Sequence, residues 1–532
     1  MQVKIDGESL DVAGVCRVAA QPGTRVLFTP SAERRMMSSR HVLSDLLNAG
    51  TPVYGVTTGL GDSVVRRSSP TSGPALQQAL VASYLNGTGP IASPELARAA
   101  MLVRLNCLAR GDSAISSGVV DRLVLFLEHD VLPMIPERGS VGASGDLMHL
   151  CYLAAPLVGE AEVCYRGAVR PSREVLDELG LEPLRLEPKD TIALVNGTSF
   201  STALAALVTG QVEDLVIAAE AATALATEAL LGNRGHFAAF INERKPHPGQ
   251  VTSARRIRSY LKGSGLALDH GVDGDRSGRA DLDGFVRPAG VVQNRYSIRC
   301  APHVIGVLRD TLSWVKPWVE TEINSSNDNP LFDSEFGTVH TGGNFYAGHI
   351  AQAMDALKPA LANVADLLDR QLALLVDEKF NNGLSANLVP DDLASGPDAA
   401  LHHGFKGMQI VASGLTAEAL KLCAPAGVHS RSTESHMEDK VSMSGIAARD
   451  ARTVLELVTE VTAIQLIAAC QAVELRCATA SAPGTAAVRQ AVRERVVPMR
   501  QGRRMDHDIQ AVVDLIRSGG ISKIKTEGEN CA

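Results

Sequence analysis

The chain has 532 residues, of which 45% are hydrophobic and 21% charged, and its formal net charge is −8. This composition provides for a large core and excludes an intrinsically disordered chain. The modest negative charge argues against a surface that binds nucleic acid.

The first residues of the chain and its cysteines indicate the cellular compartment. The nine cysteines are an odd number without a Cys-x-x-Cys pair, which suits a reducing environment. The opening residues lack the basic and apolar regions of a signal peptide, and we expect no apolar run as long as a membrane span. We therefore predict a cytoplasmic protein that does not bind membranes.

The predicted elements are mainly α-helical, because aromatic residues make up only 4% of the chain while Ala and Leu are abundant. Alternation predicts short strands at the N-terminus and at residues 163–169. An Ala-rich stretch at about residues 201–231 predicts a long buried helix. Two further helices are predicted by apolar residues at steps of three and four, namely Leu361, Val364, Leu368, Leu372 and Leu375, and Val454, Leu457, Val461, Ile464 and Ala468. We expect an N-terminal domain over residues 1–200 and a bundle of long helices over residues 201–532.

Residues 139–146 read Gly-Ser-Val-Gly-Ala-Ser-Gly-Asp. The small residues Ala143, Ser144 and Gly145 leave the backbone unshielded, so the amide nitrogen of Gly145 can attack the carbonyl carbon of Ala143. Ring closure and loss of water from the ring and from Ser144 would leave a methylidene-imidazolone, an electrophile that no standard side chain provides. The alternative is a turn before a helix, since Ser, Gly and Asp are common there.

Six further segments accompany this triplet. They are residues 54–59 (Tyr-Gly-Val-Thr-Thr-Gly), 194–198 (Leu-Val-Asn-Gly-Thr), 293–299 (Gln-Asn-Arg-Tyr-Ser-Ile-Arg), 322–331, 342–345 (Gly-Gly-Asn-Phe) and 438–443 (Glu-Asp-Lys-Val-Ser-Met). In this order and spacing the chain resembles the family of ammonia-lyases and aminomutases that includes the histidine, phenylalanine and tyrosine ammonia-lyases.

The resemblance implies a fold of the fumarase/aspartase type and a homotetramer whose active sites are shared between subunits. It also implies the cofactor 4-methylidene-imidazol-5-one (MIO), formed autocatalytically from Ala143, Ser144 and Gly145. The sequence shows no metal-ligand spacing, Walker loop or Gly-x-Gly-x-x-Gly after a strand, so we expect neither a metal nor a nucleotide.

The resemblance also assigns catalytic roles. Tyr54 matches the base that removes the β-proton of the substrate, and its pKa, near 10 for a free phenol, would have to be lowered by several units. Asn196 would hold the electrophile polarised, although a helix cap is the alternative. Tyr296 would lie near the electrophile, and Glu438 would act on the ring or the amine.

Substrate-binding residues follow from the same matches. Arg299 would grip the substrate carboxylate with two parallel hydrogen bonds, and Gln293 would share its helix face. The remaining predicted binding residues are Gly61, Ser83, Tyr84, Asn327, Asn344 and Phe345; for the last three, turns or core packing are the alternatives.

Three departures from the family pattern bear on the substrate. Glu438 stands where the phenylalanine enzymes usually have Gln and the histidine enzymes Glu, and a carboxylate can pair with an imidazole. Ser83 and Tyr84 form a polar pair at the ring-selecting position, which disfavours an unsubstituted phenyl ring. His149 replaces a family proline, which either puts the helix entry in question or supplies another titratable group close to the electrophile.

These features narrowly favour histidine as the substrate, with phenylalanine and tyrosine as alternatives. Three activities remain open: an ammonia-lyase, a 2,3-aminomutase that makes a β-amino acid, and an inactive structural relative. The intact triplet together with Tyr54, Asn196 and Arg299 argues against the third.

Overall fold

The computed structural model describes residues 2–65, 73–269, 279–280, 286–287 and 293–525. Within these ranges the protein is mainly α-helical, as predicted. The α-helices are α1 Val12–Ala19, α2 Pro30–Asn48, α3 Gly73–Ser83, α4 Pro94–Ala109, α5 Ser117–Glu128, α6 Leu147–Ala154, α7 Ser172–Glu178, α8 Asp190–Val195, α9 Ser199–Ala229, α10 Ala239–Glu243, α11 Pro248–Tyr260, α12 Tyr296–Arg299, α13 Ala301–Ile323, α14 Gly348–Val376, α15 Lys406–Lys421, α16 Ser444–Cys477, α17 Pro483–Arg493 and α18 Asp506–Arg517.

The strands are short and form small separate sheets. They are β1 Gln2–Ile5, β2 Arg25–Phe28, β3 Thr88–Ile91, β4 Leu132–Pro133, β5 Pro136–Arg138, β6 Glu162–Tyr165, β7 Ala168–Pro171, β8 Arg279–Ala280, β9 Val286–Arg287, β10 Leu331–Asp333 and β11 Thr338–His340. β1 pairs in parallel with β2, and the antiparallel pairs are β3–β5, β4–β6, β6–β7, β8–β9 and β10–β11. The predicted strands at the N-terminus and around residues 163–169 are therefore confirmed.

The chain divides into two compact units that are discontinuous in sequence. The first unit comprises Met1–Gly210, Val315–Asp355 and Pro425–Ala451, and the second comprises Gln211–Trp314, Ala356–Ala424 and Arg452–Ala532. The predicted domain boundary at residues 200 and 201 falls inside α9 and stays a prediction.

The first unit is organised around α4, in which every residue from Leu96 to Ala109 is buried. Its N-terminus is capped by Ser93, whose hydroxyl accepts from the amide of Leu96 at 3.3 Å. A second apolar cluster lies beneath the segment that follows α2, and its members are Val42, Leu43, Val53, Ala114 and Phe332. Val53 is only 1% exposed, so this cluster anchors the chain directly before Tyr54.

The second unit contains the parts of α14 and α16 that were predicted from their periodicity. All five residues of the leucine-rich pattern in α14 are fully buried. In α16 the corresponding residues are at most 9% exposed, the largest value being that of Leu457. An apolar stripe at this spacing forms one helix face, which explains why it is buried.

The expectation that no apolar run reaches the length of a membrane span was wrong. Among the described residues, Ser199–Ala229 and Ser444–Ala480 are long and apolar enough to cross a membrane by length and composition. In the most apolar 18-residue window of each helix, however, 67% of the first and 78% of the second are buried within the structure. Burial to this extent is typical of core helices.

Candidate active site

The Ala143-Ser144-Gly145 triplet lies in a tight turn between β5 and α6. Ser144 has a φ of +47°, a left-handed backbone conformation that is uncommon for a residue with a side chain, and Gly145 has a φ of +77°. Asp146 is the N-cap residue of α6. Ser144 and Gly145 thus both have left-handed backbone conformations, which tertiary contacts stabilise.

Gly197 pairs with this turn through its backbone. Its N–H donates to the carbonyl of Ser144 at 3.1 Å, and its carbonyl accepts from the N–H of Asp146 at 2.7 Å. A Cβ atom at Gly145 would lie 2.2 Å from the carbonyl oxygen of Gly197, closer than real Cβ contacts. Glycine at position 145 is therefore required by the close approach of two backbones.

Asn196 follows the last residue of α8 and brings an amide to the same turn. Its Nδ2 donates to the carbonyl of Asn329 at 2.9 Å. Its Oδ1 is buried and has no hydrogen-bond partner among the described residues. An unpaired buried amide oxygen is unfavourable unless a further group binds there.

Tyr54 is placed by a network of turn hydrogen bonds. The N–H of Thr57 donates to the carbonyl of Val53 at 2.9 Å, and the N–H of Gly55 donates to the hydroxyl of Thr58 at 3.0 Å. The phenol oxygen of Tyr54 accepts from the N–H of Gly61 at 3.0 Å. This contact ties Tyr54 to the 3₁₀ turn that begins at Gly61.

These residues face a cavity of about 540 Å³ in the first unit. The predicted residues that line it are Tyr54, Gly61, Tyr84, Ala143, Ser144, Asn196, Phe345 and Glu438. Apolar walls are provided by Leu60, Leu80, Leu147, Ile192, Val195 and Val441, among others. A cavity of this size with apolar walls and a few polar groups is suited to a small ligand.

Glu438 and Glu434 both present carboxylates to this cavity. Oε2 of Glu438 accepts from the hydroxyl of Thr433 at 2.7 Å, and Oε1 accepts from the hydroxyl of Ser144 at 3.4 Å. Burial, Glu438 and Asp62 raise the pKa of Glu434 above its ordinary value. Glu434 was not among the predicted site residues, although it lies four residues before Glu438.

Gly61 permits the close approach of Glu434. Its φ is +52°, and a Cβ atom there would lie 1.9 Å from Oε1 of Glu434. Any side chain at position 61 would therefore displace the carboxylate from the cavity.

The pKa of Tyr54 is shifted in the direction opposite to the one expected. Burial raises it, and the negative charges of Glu434 and Glu438 add to this effect. The hydrogen bond from the N–H of Gly61 acts in the opposite sense but is the smaller effect. The residues of this unit thus do not produce the expected lowering of the pKa, because burial of the phenol outweighs the hydrogen bond from Gly61.

Other predicted binding residues lie apart from the cavity wall. Ser83 is exposed, and its hydroxyl donates to the carbonyl of Ala79 at 2.7 Å. Asn344 is exposed and donates to the carbonyl of Ser326 at 3.1 Å. Asn327 is 2% exposed, and its amide binds inside the core of the unit.

The three predicted residues of the 293–299 segment belong to the second unit. Gln293 is exposed, while Tyr296 and Arg299 are the first and last residues of α12. The guanidinium of Arg299 lies 4.5 Å from the centre of the Tyr296 ring, as expected for residues three apart on a helix. The buried Nε of Arg299 has no hydrogen-bond partner among the described residues.

His149 is fully buried in α6, so the helix forms without the family proline. Its ring stacks on Phe200 with 4.1 Å between centroids, and its Nε2 donates to the carbonyl of Glu137 at 3.3 Å. Burial lowers the pKa of His149 to about 4, so the ring is neutral at pH 7. It is therefore a packing residue next to the triplet.

Comparison with known proteins identifies this arrangement. The sequence profile of aromatic amino acid lyases matches residues 10–494. The chain belongs to the aromatic amino acid lyase family.

Relatives with different activities resemble the chain to a similar degree. The tyrosine ammonia-lyase of Cupriavidus metallidurans is 38% identical over 525 residues, which cover 98% of this chain and 97% of that protein. The histidine ammonia-lyase of Caldanaerobacter subterraneus subsp. tengcongensis is 35% identical over 530 residues, 99% of each chain. The crystal structure of tyrosine aminomutase from Streptomyces globisporus superposes with a TM-score of 0.90 at 34% identity, and 98% of each chain is covered.

As a member of the aromatic amino acid lyase family, the chain is an enzyme of the ammonia-lyase and aminomutase class. The family depends on MIO. In the part of the chain that the structure describes, no group of three or more His, Cys, Asp or Glu residues could hold a metal ion.

Proposed function

We propose that this enzyme uses MIO formed from Ala143, Ser144 and Gly145 to eliminate ammonia from a ring-bearing L-amino acid, with histidine favoured over tyrosine and phenylalanine. The observation that carries the proposal is the turn at Ser144, which faces a cavity lined by Tyr54, Asn196 and the carboxylates of Glu434, Glu438 and Asp439.

The residues around the triplet fit this group. A five-membered ring made from the backbone needs a turn without side-chain obstruction, and Ser144 and Gly145 are held in left-handed conformations by Gly197. The unpaired Oδ1 of Asn196 lies on the same cavity wall as the triplet. When formed, the group supplies an electrophile that binds the substrate amine and makes it a better leaving group.

Tyr54 is the base in this proposal. Its phenol oxygen faces the cavity and already accepts a hydrogen bond from Gly61, so a β-carbon bound between it and Ser144 could transfer its proton to the phenolate. The bound substrate and its ammonium group must lower the pKa of Tyr54, because the free site raises it.

The polar lining supports a ring with an N–H or O–H group. A phenyl ring offers no hydrogen bond to Glu434 or Glu438, whereas an imidazole can donate to a carboxylate or pair with it as a cation. Tyr84 adds a phenol to the same wall. These groups favour histidine and keep tyrosine as the runner-up, while a phenyl ring would form no hydrogen bond with these partly buried polar groups.

The substrate carboxylate is assigned to Arg299, with Gln293 and Tyr296 beside it. A guanidinium binds a carboxylate through two parallel N–H donors, and the Nε of Arg299 has no hydrogen-bond partner among the described residues. In this proposal the enzyme is a cytoplasmic homotetramer whose subunits share active sites. The substrate-binding roles predicted for Asn327, Asn344 and Ser83 stay predictions, since these residues do not line the cavity of the first unit.

A 2,3-aminomutase is the second candidate activity. It is favoured by the resemblance to the tyrosine aminomutase, which is as extensive as the resemblance to the lyases. Both activities use the same residues, and the aminomutase returns the amine to the β-carbon. An inactive paralogue is less favoured because the triplet, Tyr54 and Asn196 face one cavity.

The test is incubation of purified enzyme with L-histidine, L-tyrosine or L-phenylalanine, followed by chromatography with mass detection. A product lighter by ammonia supports the lyase, and a β-amino acid of unchanged mass supports the aminomutase. The Ser144→Ala variant, which cannot form the methylidene group, serves as the control. Equal turnover by this variant, or no turnover of any of the three substrates, would overturn the proposal.

A further inference from the structure

Arg104, in α4, is a charged residue in the core of the first unit, only 1% exposed. Its Nη1 donates to Oδ1 of Asn327 at 3.0 Å, its Nη2 donates to the carbonyl of Ala193, and Nη1 lies 3.5 Å from the hydroxyl of Ser199. All three partners are neutral oxygens. The described residues include no carboxylate that forms a salt bridge with Arg104.

These contacts hold both ends of one short connection. Ala193 belongs to α8, and Ser199 is the first residue of α9. Residues 196–198, which join the two helices, carry Asn196 and Gly197. Arg104 thus contacts the helix before this connection and the helix after it.

The guanidinium also lies directly against Gly197. A Cβ atom at Gly197 would lie 2.2 Å from Nη1 of Arg104 and 2.7 Å from Oδ1 of Asn327. On its other side Gly197 forms the two backbone hydrogen bonds to Ser144 and Asp146 described above. Gly197 is therefore enclosed between the guanidinium and the reactive turn.

The burial of the charged side chain of Arg104 against Gly197 indicates a specific role for this residue. Burial lowers the pKa of Arg104 because the charged form is poorly solvated. A methionine or leucine could fill the same space without this unfavourable burial. What an apolar side chain cannot do is donate to Asn327 and Ala193 at once, since only a guanidinium offers several donors in a fixed plane.

We propose that Arg104 is a positioning residue for the formation of the electrophile, acting through Gly197. In that reaction the nitrogen of Gly145 bonds to the carbonyl carbon of Ala143, and the carbonyl oxygen leaves as water with the amide hydrogens of Gly145 and Ser144. Ser144 then loses its hydroxyl and its α-hydrogen as a second water. Arg104 holds Gly197 so that its two hydrogen bonds keep Ser144 and Gly145 in their left-handed conformations. The inference rests on the proposed function.

The experiment measures the mass of purified Arg104→Met protein, without substrate, by intact-mass and peptide mass spectrometry. The wild-type peptide that contains residues 139–146 is expected to be lighter than its sequence mass by two water molecules. Arg104→Met is expected to lose this mass deficit. The matched control is Arg98→Met, on the same helix: Arg98 is 6% exposed and pairs with Asp130 at 2.5 Å.

The control separates positioning from general stability. Denaturant unfolding is measured for both variants, and a merely structural role predicts that each folded variant still loses both waters. Full dehydration in folded Arg104→Met overturns the inference.

Arg104→Lys is the second variant, because it keeps the charge but lacks the planar set of donors. We expect it to fold and to dehydrate more slowly than wild type in a time course after synthesis. Dehydration of Arg104→Lys at the wild-type rate would also overturn the inference. If the wild-type triplet itself keeps its sequence mass, it is the proposed function that fails.

Discussion

Oε1 of Glu438 lies 3.4 Å from the hydroxyl of Ser144, while Oε2 is held by Thr433 at 2.7 Å. Thr433 thus fixes Oε2 of Glu438, while Oε1 faces Ser144, the residue that would carry the methylidene group. A carboxylate oriented in this way is positioned to accept a hydrogen bond from a substrate bound at the triplet.

Exchange of Glu438 for Gln should therefore impair histidine turnover. Loss of a hydrogen bond to a charged group costs about 1.5–3 kcal/mol, which corresponds to a fall in kcat/KM of about 10- to 150-fold. Steady-state kinetics with L-histidine check this. Asp439→Asn, which removes the same charge one residue further along, is the control; equal effects in both variants would contradict a specific role for Glu438.

Tyr54→Phe should lower kcat by about 10²- to 10⁴-fold, the usual contribution of a general base. The two-water mass deficit of the triplet should remain, since Tyr54 is not bonded to that turn. Tyr84→Phe removes another phenol from the cavity wall and should leave most of kcat intact. Retention of most of kcat in Tyr54→Phe would exclude this tyrosine as the base.

The pH profile should respond to the charge of Glu434. In the proposed mechanism Tyr54 acts as a phenolate, so activity should rise as pH passes its pKa, and kcat/KM would report this pKa for the free enzyme. Glu434 raises the pKa of Tyr54, so Glu434→Gln should move the ascending limb to lower pH. Asp62 is an exposed carboxylate nearby, and Asp62→Asn should shift the ascending limb by a smaller amount. An unchanged or alkaline-shifted limb in Glu434→Gln would contradict the assignment.

His149 should make the fold less stable in acid. Its pKa is lowered from 6.5 to about 4, so between these values the unfolded chain binds the extra proton and stability falls as pH falls. Asp146, with a pKa raised to about 6, contributes with the opposite sign, because its carboxyl is more easily protonated in the fold.

The effect of His149 is therefore measured as a difference. His149→Gln keeps a donor for the carbonyl of Glu137 but cannot be protonated near neutral pH. Between pH 7 and pH 4, wild type should lose on the order of 3 kcal/mol of unfolding free energy relative to this variant. Urea unfolding at several pH values checks this, and parallel stability curves for the two proteins would refute it.

The helices could be predicted because the pattern of residues that indicates each helix lies within one continuous segment of the sequence. Leu361 and Leu372 recur at a spacing that places them on one buried face of α14, and the Ala-rich stretch predicted from about residue 201 begins at Ser199. The triplet and Tyr54 were recognised from short motifs for the same reason.

The parts of the site that were missed depend on contacts between distant segments. Glu434 approaches Gly61 only in the folded unit, so neither the missing side chain at Gly61 nor the raised pKa of Tyr54 could be read from the motifs. Asn327 was predicted to contact substrate, but its amide oxygen binds Arg104 in the core. A sequence motif shows that a residue is present, whereas its hydrogen-bond partners depend on the tertiary fold.

The pairing of Gly145 with Gly197 also has a consequence for quality control. If the triplet forms MIO as proposed, its dehydration depends on a contact between segments that are far apart in the chain and proceeds only in molecules whose first unit has folded. Because that covalent change would persist after denaturation, each polypeptide would keep a permanent chemical record of whether it once folded. The mass of the unfolded chain would then report the folding history of a preparation, including molecules that have since aggregated.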